Sequence, residues 1–210
     1  MSNAHQDRIG LIADSHNKVS LMVDAIAYLR EQGAVHIIHL GDICDSLEPE
    51  KLDEAVEILE REGITAVRGN NECVVINEYL PSHTGHLKKS TLTFLDQLPY
   101  VLRFEEFFFT HSAPFEWPEA TRRPIRYYLP RLLETGRAPF RILFRGHSHR
   151  PSIIEIDKTD VRKIRIEPNE SAQLDRKKTY VITVGAVEKS TCALFDPLVY
   201  TIKSLDFSHR

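Results

Sequence analysis

The stretch RIGLIADSHNKVSLMVDAIAYLREQGAVHIIHLGD, residues 8–42, decides the fold. It predicts a strand over Arg8 to Ala13, followed by a helix whose apolar residues recur at helical spacing from Leu21 until Gly33 ends it. A second strand is expected over Val35 to Leu40, because this run is short, apolar and rich in β-branched residues. The stretch therefore alternates strand, helix and strand.

The same pattern continues along the first half of the chain. Apolar residues at helical spacing predict a second helix from Leu52 that ends at Gly63, and Ile64 to Val67 predict a third strand. A short helix over Thr91 to Leu98 is expected next, with Ser90 as its N-cap and the following proline as its stop. Alternation of this kind is typical of α/β proteins.

The second half of the chain consists mainly of predicted strands without intervening helices. These strands are expected at Val101 to Thr110, Phe140 to Phe144, Ser152 to Ile156, Val161 to Ile166, Tyr180 to Val184, Thr191 to Phe195 and Val199 to Lys203. Strand and helix units followed by a run of strands favour a sheet-on-sheet sandwich. We therefore predict an α/β fold in which two mixed sheets are flanked by helices.

Composition limits the class of protein. The chain has 210 residues, 42% of them hydrophobic, and no linker or repeat divides it, so one domain over residues 1–210 is expected. No apolar run is long enough for a membrane span or a signal peptide. Three widely spaced cysteines predict neither a disulfide framework nor a thiolate zinc site, so a cytoplasmic protein is expected. A net charge of −3 argues against a protein that coats nucleic acid.

Polar clusters follow the predicted strands and carry the chemistry. In chain order they are DSH at 14–16, GD at 41–42, GNNE at 69–72, His111, and GHSH at 146–149. Because ligands bind at the carboxyl ends of strands in α/β sheets, the five clusters can converge although they are far apart in sequence. Side chains at positions i and i+2 of extended backbone point the same way, so the two residues of each DxH or HxH pair can reach one ligand. The convergence predicts a metal site.

The donor types indicate which metals would bind. The clusters offer two carboxylates, four imidazoles and one amide oxygen without a thiolate, a set that suits Mn, Fe, Zn, Co or Ni. Seven donors suffice for two ions if one carboxylate bridges, and paired metals are a standard device for displacement at phosphorus. Hydrolysis of a phosphoester is therefore the leading reaction.

Each cluster alone has a structural explanation. Asp14 and Asp42 could serve as turn or helix-cap residues, since Asp is favoured at such positions. The histidine pair of GHSH has less structural use, but it would not establish a metal site by itself. His36 and His39 lie in the second predicted strand and are expected to pack in the core or to support the site, so neither is assigned to a metal.

The ordered set DxH, GD, GNxE, a downstream His and GHxH resembles the calcineurin-like metallophosphoesterase superfamily, and RGHSHRP resembles its small bacterial and archaeal phosphodiesterases. The resemblance implies a four-layer α-β-β-α sandwich. It also implies two metal ions, most often manganese, and attack on phosphorus by a hydroxide that bridges them. The implied ligands are Asp14, His16 and His149 for one ion, Asn70, His111 and His147 for the other, and Asp42 as the bridge.

One position departs from the family pattern. The residue after the GN ligand is usually a histidine that helps to protonate the leaving group, whereas this chain has Asn71. An amide can orient a phosphate oxygen but cannot act as a general acid, so Asn71 is expected to take the orienting role. We therefore expect either substrates with good leaving groups or a proton from His83 or His86. Alternatively, these two histidines merely lie on a polar loop.

Positive charge is concentrated in one segment. Residues 120–150 contain eight arginines and one glutamate, a charge of +7 in a chain of net charge −3. We interpret residues 113–139 as a basic, cap-like insertion in which Arg122, Arg123 and Arg126 bind the substrate phosphate. Its aromatic residues could stack on a base or aryl group. The alternative is a surface helix that packs against the domain or another subunit.

These observations favour a dinuclear metal-dependent hydrolase of phosphodiesters or small nucleotides. A phosphomonoesterase or phosphoprotein phosphatase is the alternative enzyme class. A non-catalytic protein-binding scaffold, similar to the retromer subunit that resembles small phosphodiesterases, is the alternative without catalysis. The expected partner is a small phosphoester or nucleotide, with no membrane and no nucleic acid, and a homo-oligomer is left open.

Overall fold

The structure, a computed structural model, describes residues 7–81, 86–113, 125, 127, 129, 140–157 and 160–209. Within these residues the strands are β1 Ile9–Ile12, β2 His36–His39, β3 Thr65–Ala66, β4 Val101–Phe104, β5 Phe107–Thr110, β6 Ile142–Arg145, β7 Ser152–Asp157, β8 Asp160–Ile164, β9 Ser171–Gln173, β10 Thr179–Thr183, β11 Thr191–Asp196 and β12 Thr201–Asp206. The α-helices are α1 Val19–Glu31, α2 Leu52–Arg61, α3 Asn70–Val74 and α4 Lys89–Gln97.

The strands form two six-stranded mixed sheets. The first has the order β3-β2-β1-β11-β12-β9, and the second has the order β4-β5-β6-β10-β7-β8. Strands β1, β2 and β3 are parallel because α1 and α2 carry the chain back between them, and β11 pairs antiparallel with β1. In the second sheet β5, β6 and β10 are parallel. Each sheet therefore has a parallel group of strands whose carboxyl ends share one edge.

Alternation along the strands separates the layers. In β1, Leu11 points into the core between the sheets, where it belongs to one cluster with Phe144. Its neighbour Ile12 points to the other face and packs with Met22 and Leu29 of α1. These side chains are fully buried, and each contributes about 1.5–3 kcal/mol by leaving water. The first sheet is therefore covered by the second sheet on one face and by helices on the other.

The outer face of the second sheet is also covered. Phe108 and Leu143 on that face form a cluster with Leu129, which lies in a helical conformation, and Ile125 packs against the same cluster. The order of layers is helix, sheet, sheet, helix. The predicted α/β sandwich of two mixed sheets flanked by helices is confirmed.

Two expectations about residues 90–110 were wrong. The single strand expected over Val101 to Thr110 is a hairpin, because the chain reverses at Glu105, which has φ of 51°, and β4 pairs with β5. Ser90 is not the N-cap of α4. The helix starts at Lys89, and the carboxylate of Asp53 accepts the Lys88 N–H at 3.0 Å and the Thr91 hydroxyl at 2.5 Å. A residue 35 positions earlier in the chain therefore secures this helix end.

The sequence patterns also missed several short elements. Helix α3 follows Gly69 directly and continues into a π-helical turn over Val75–Tyr79. The edge strand β9 is only three residues long, too short for a periodic signal. Helix α3 matters for the site, because it places Asn70 and Asn71 at its first turn.

Candidate metal centre

The five polar clusters lie at the carboxyl ends of strands from both sheets. In the first sheet, Asp14 and His16 follow β1, Asp42 follows β2, and Asn70 follows β3 at the start of α3. In the second sheet, His111 follows β5, and His147 and His149 follow β6. The structure brings all seven side chains to the same end of the sandwich.

Most of these residues occupy a strained backbone conformation. Positive φ angles occur at Asp14 (54°), His16 (42°), Asp42 (54°), His147 (66°) and His149 (52°). A side-chain-bearing residue in this region costs about 1–3 kcal/mol and persists where the surroundings hold it, commonly at functional sites. The strain therefore marks these turns as shaped for side-chain placement.

Two glycines are required where these loops approach one another. A Cβ at Gly69 would lie 2.2 Å from the backbone nitrogen of Asp42, and one at Gly146 would lie 2.6 Å from the Asp14 carboxylate. Neither space admits a side chain. The glycines of GNNE and GHSH thus let the loops close around the two aspartates.

The first donor cluster consists of Asp14, His16 and His149, whose ligand atoms lie within 4.8 Å of one another. His149 Nε2 is 3.3 Å from Asp14 Oδ1 and 3.3 Å from His16 Nε2. The Asp14 carboxylate also accepts the His147 N–H at 2.9 Å, which ties the loop after β1 to the loop after β6.

The second donor cluster consists of Asp42, Asn70, His111 and His147. His111 Nε2 is 3.0 Å from Asn70 Oδ1, 3.1 Å from His147 Nδ1 and 3.4 Å from Asp42 Oδ2. His147 Nδ1 is 2.9 Å from Asn70 Oδ1. Four electron-rich atoms therefore share one small volume.

Asp42 lies between the two clusters. Its Oδ2 atom is 3.4 Å from His111 Nε2 in the second cluster and 3.9 Å from His16 Nε2 in the first. One carboxylate oxygen can thus face both groups of imidazoles. This geometry suits a carboxylate shared by two cations.

The donor chemistry fits cations. The Leu40 carbonyl can only accept, so His111 Nδ1 carries a hydrogen and donates it to that oxygen at 2.8 Å. Nε2 is then the nitrogen that faces Asn70 Oδ1, His147 Nδ1 and Asp42 Oδ2, and when deprotonated it presents a lone pair to them. These acceptor atoms need a proton or a cation between them, and imidazole, carboxylate and amide oxygen are suitable ligands for divalent transition metals.

The charges of the centre shift the pKa values of its own groups. Although burial works to lower it, the pKa of His111 is raised to about 9 by the carboxylates of Asp42 and Asp14. Burial and the charge on His111 lower the pKa of His147 to about 4. Burial alone would raise the pKa of Asp42, but His111 holds it well below the usual range. In the absence of metal, a proton on His111 thus neutralises part of the acidic charge.

Glu72 supports the centre in a way that the sequence patterns did not reveal. Its buried carboxylate accepts N–H groups from Asp42 at 2.9 Å, Ile43 at 2.8 Å, Cys44 at 3.2 Å and Gly69 at 2.8 Å. Burial raises the pKa of Glu72, and the nearby Asp42 carboxylate adds to this, while the backbone donors oppose it. Glu72 therefore locks the turn after β2 to the start of α3.

His39 supports the centre without facing it. It is fully buried, lies 2.7 Å from the Ser15 hydroxyl and accepts the Gly41 N–H at Nδ1. Burial lowers its pKa to about 3, so the ring is neutral and donates from Nε2 to Ser15. His36, by contrast, lies on the surface 3.4 Å from Asp7.

Asn71 contacts protein groups on every side of its amide. Nδ2 donates to Asp42 Oδ2 at 2.8 Å and lies 3.4 Å from His16 Nδ1, while Oδ1 accepts the Ser46 N–H at 3.1 Å. Its backbone N–H donates to Asp42 Oδ1 at 2.9 Å. The amide that was expected to orient a phosphate oxygen is thus directed at the carboxylate between the clusters.

The other predicted site residues are not tested by the geometry. Arg122, Arg123, Arg126 and His83 lie outside the described residues, as does most of the interval 113–139. His86 is exposed, and its Nδ1 is 3.1 Å from the Tyr79 hydroxyl.

Two arginines of the basic stretch have structural roles. Arg145 is buried and donates to the Ser112 carbonyl at 2.6 Å and to the Ser148 hydroxyl at 2.9 Å, so it connects the loops after β5 and β6. Arg141 donates to the Lys177 carbonyl at 3.1 Å. Part of the positive charge therefore serves the fold.

Across the described ranges, every helix is too short or too polar to cross a lipid bilayer.

Solved structures share this fold. A metallophosphoesterase from Sphaerobacter thermophilus is 20% identical with a TM-score of 0.74, covering 98% of this chain and 89% of its own. A hypothetical protein from Pyrococcus horikoshii is 15% identical with a TM-score of 0.65, and the match covers 96% of this chain and 89% of that protein. An archaeal phosphodiesterase is 18% identical with a TM-score of 0.54, and the match covers 95% of this chain and 99% of that protein.

No curated protein sequence matches the chain. A model of the calcineurin-like phosphoesterase superfamily domain matches residues 8–191. The chain therefore belongs to the calcineurin-like phosphoesterase superfamily.

Proposed function

We propose that this protein hydrolyses phosphoesters, and that phosphodiesters or small nucleotides are its preferred substrates. The reaction uses two divalent metal ions, and manganese is the preferred metal. The observation that carries the proposal is that the two donor clusters meet at Asp42. The first donor cluster would hold one ion and the second the other, with Asp42 as the shared ligand. Oxygen and imidazole donors without a thiolate suit manganese.

The bound ions would lower the pKa of a water molecule and stabilise negative charge on the phosphoryl group. The chain's own residues set the geometry for this chemistry. Glu72 holds the turn that carries Asp42, and Asn71 holds the carboxylate itself through two hydrogen bonds. Neutral His39 fixes the Gly41 N–H and the Ser15 hydroxyl beneath the site. Little reorganisation is then needed when a phosphoester binds.

The leaving group would receive little help from Asn71. An amide cannot release a proton near neutral pH, and this amide already contacts Asp42 and Ser46. We therefore propose a preference for esters with acidic leaving groups. Proton donation by His83 or His86 is the alternative, and the hydrogen bond between His86 and Tyr79 is the contact through which such a donor would be held.

The experiment combines metal analysis with hydrolysis assays. Protein purified without chelator is analysed for bound metal, then assayed with manganese on an aryl phosphomonoester and an aryl phosphodiester. We expect two ions per chain and turnover, with the diester favoured. Asp42→Asn should reduce kcat at least 100-fold, because Asp42 would be a ligand of both ions and an amide is a weaker ligand than a carboxylate. Lys189→Ala, which changes an exposed side chain, should have the activity of the parent. Metal-free, inactive protein would favour the scaffold role instead.

A further inference from the structure

Glu188 contacts the first donor cluster from a segment without any recognised motif. It lies in a 3-10 turn over Val187–Lys189, between β10 and β11. Its Oε1 atom is 2.7 Å from His149 Nδ1. The contact joins residues 39 positions apart, so local sequence does not reveal it.

The backbone holds Glu188 in register with the loop after β1. The Glu188 N–H donates to the Asp14 carbonyl at 3.2 Å, and the Val187 N–H donates to the Ala13 carbonyl at 2.8 Å. The turn is closed by Thr191, whose side-chain oxygen accepts the Ala186 N–H at 2.9 Å. Glu188 is therefore fixed relative to Asp14, one of the acidic donors.

This placement determines which nitrogen of His149 faces the cluster. The Glu188 carboxylate can only accept, so His149 Nδ1 donates the hydrogen. In the neutral ring the lone pair then lies on Nε2, which is 3.3 Å from both Asp14 Oδ1 and His16 Nε2. His111 is held in the same manner by the neutral carbonyl of Leu40. The His149 partner differs because it carries a negative charge.

We propose that Glu188 is a positioning residue that fixes His149 as an Nε2 ligand and strengthens cation binding by the first donor cluster. The inference rests on the proposed function, because it requires the cluster to bind a metal ion. A carboxylate that accepts from a ligating histidine sets the ring orientation and raises the basicity of the ligand. Loss of such a partner typically reduces metal affinity about 10–100-fold.

The test measures metal affinity rather than activity. Metal-free parent, Glu188→Ala and Glu188→Gln are titrated with Mn²⁺ against a fluorescent chelator. For Glu188→Ala we expect one of two binding steps to weaken about 10–100-fold while the other stays within about threefold. Glu188→Gln keeps an acceptor oxygen but loses the charge, so its affinity should be intermediate. Lys189→Ala, on the same turn with an exposed side chain, should bind as the parent does.

The outcomes separate this inference from the proposed function. Two binding steps in the parent that are unchanged in Glu188→Ala would overturn the positioning role alone. A parent that binds no ion would overturn the proposed function and this inference with it. Equal weakening of both steps, together with a lower unfolding midpoint of the metal-free variant, would assign Glu188 a structural role and overturn the specific effect on His149.

Discussion

Replacing Glu72 by Gln should strongly destabilise the fold. Each carboxylate oxygen accepts two backbone N–H groups: Oε2 accepts from Asp42 and Gly69, and Oε1 accepts from Ile43 and Cys44. In Gln one oxygen becomes an NH₂ group, so two buried N–H groups lose their acceptor and face a donor. Hydrogen bonds to a charged group contribute about 1.5–3 kcal/mol each, which predicts a loss of about 3–6 kcal/mol.

Urea unfolding of metal-free protein at pH 8 measures this loss without a contribution from bound ions. Only the carboxylate form, in which neither oxygen carries a hydrogen, can accept all four donors. Glu60→Gln, on the exposed face of α2, is the matched control and should change the free energy of unfolding by less than about 0.5 kcal/mol. A loss below about 1 kcal/mol for Glu72→Gln would show that Glu72 does not hold the two turns together.

Three further predictions concern the buried His39, the leaving group and the basic segment. Because His39 has a pKa of about 3 in the fold and an ordinary value of 6.5, the unfolded chain binds its proton first; between pH 7 and pH 5 the free energy of unfolding of metal-free parent should therefore fall by about 2 kcal/mol more than that of His39→Gln, and equal slopes would contradict this. Asn71→His should raise kcat for alkyl phosphoesters relative to aryl ones by at least about 10-fold, and an unchanged ratio would exclude a missing proton donor. Reversing Arg122 and Arg123 to Glu should raise KM for phosphoesters several-fold with little change in kcat, whereas an unchanged KM would assign these residues to packing.

Sequence reasoning predicted the features that repeat or that lie at fixed positions on elements. The polar clusters could be located because each follows a short apolar strand, and parallel strands present their carboxyl ends at one edge. The donors therefore converge as expected, although they extend from Asp14 to His149 along the chain. The sandwich was predictable for the same reason, since alternation of strands and helices gives way to strands alone.

Contacts between distant loops were not predictable. Glu72 is part of the GNNE cluster, but three of its four backbone donors come from a turn about 30 residues earlier in the chain. The spacing of residues in a sequence does not predict such a long-range contact. Glu188 carries no motif at all. The hairpin at Glu105 was missed because its turn contains neither Gly nor Asn, and the start of α4 was misplaced because its capping carboxylate, Asp53, belongs to another helix. Except in the local hairpin, a contact with a residue distant in sequence decides the structure.

The division of the donors between the sheets has a consequence for how the protein matures. Each donor cluster takes side chains from both sheets, so an ion bound there would act as a cross-link between the two layers. The supporting frame is finished only when β10 has joined β6 and β11 has joined β1. A nascent chain that has not yet released these strands from the ribosome would lack the frame for either ion.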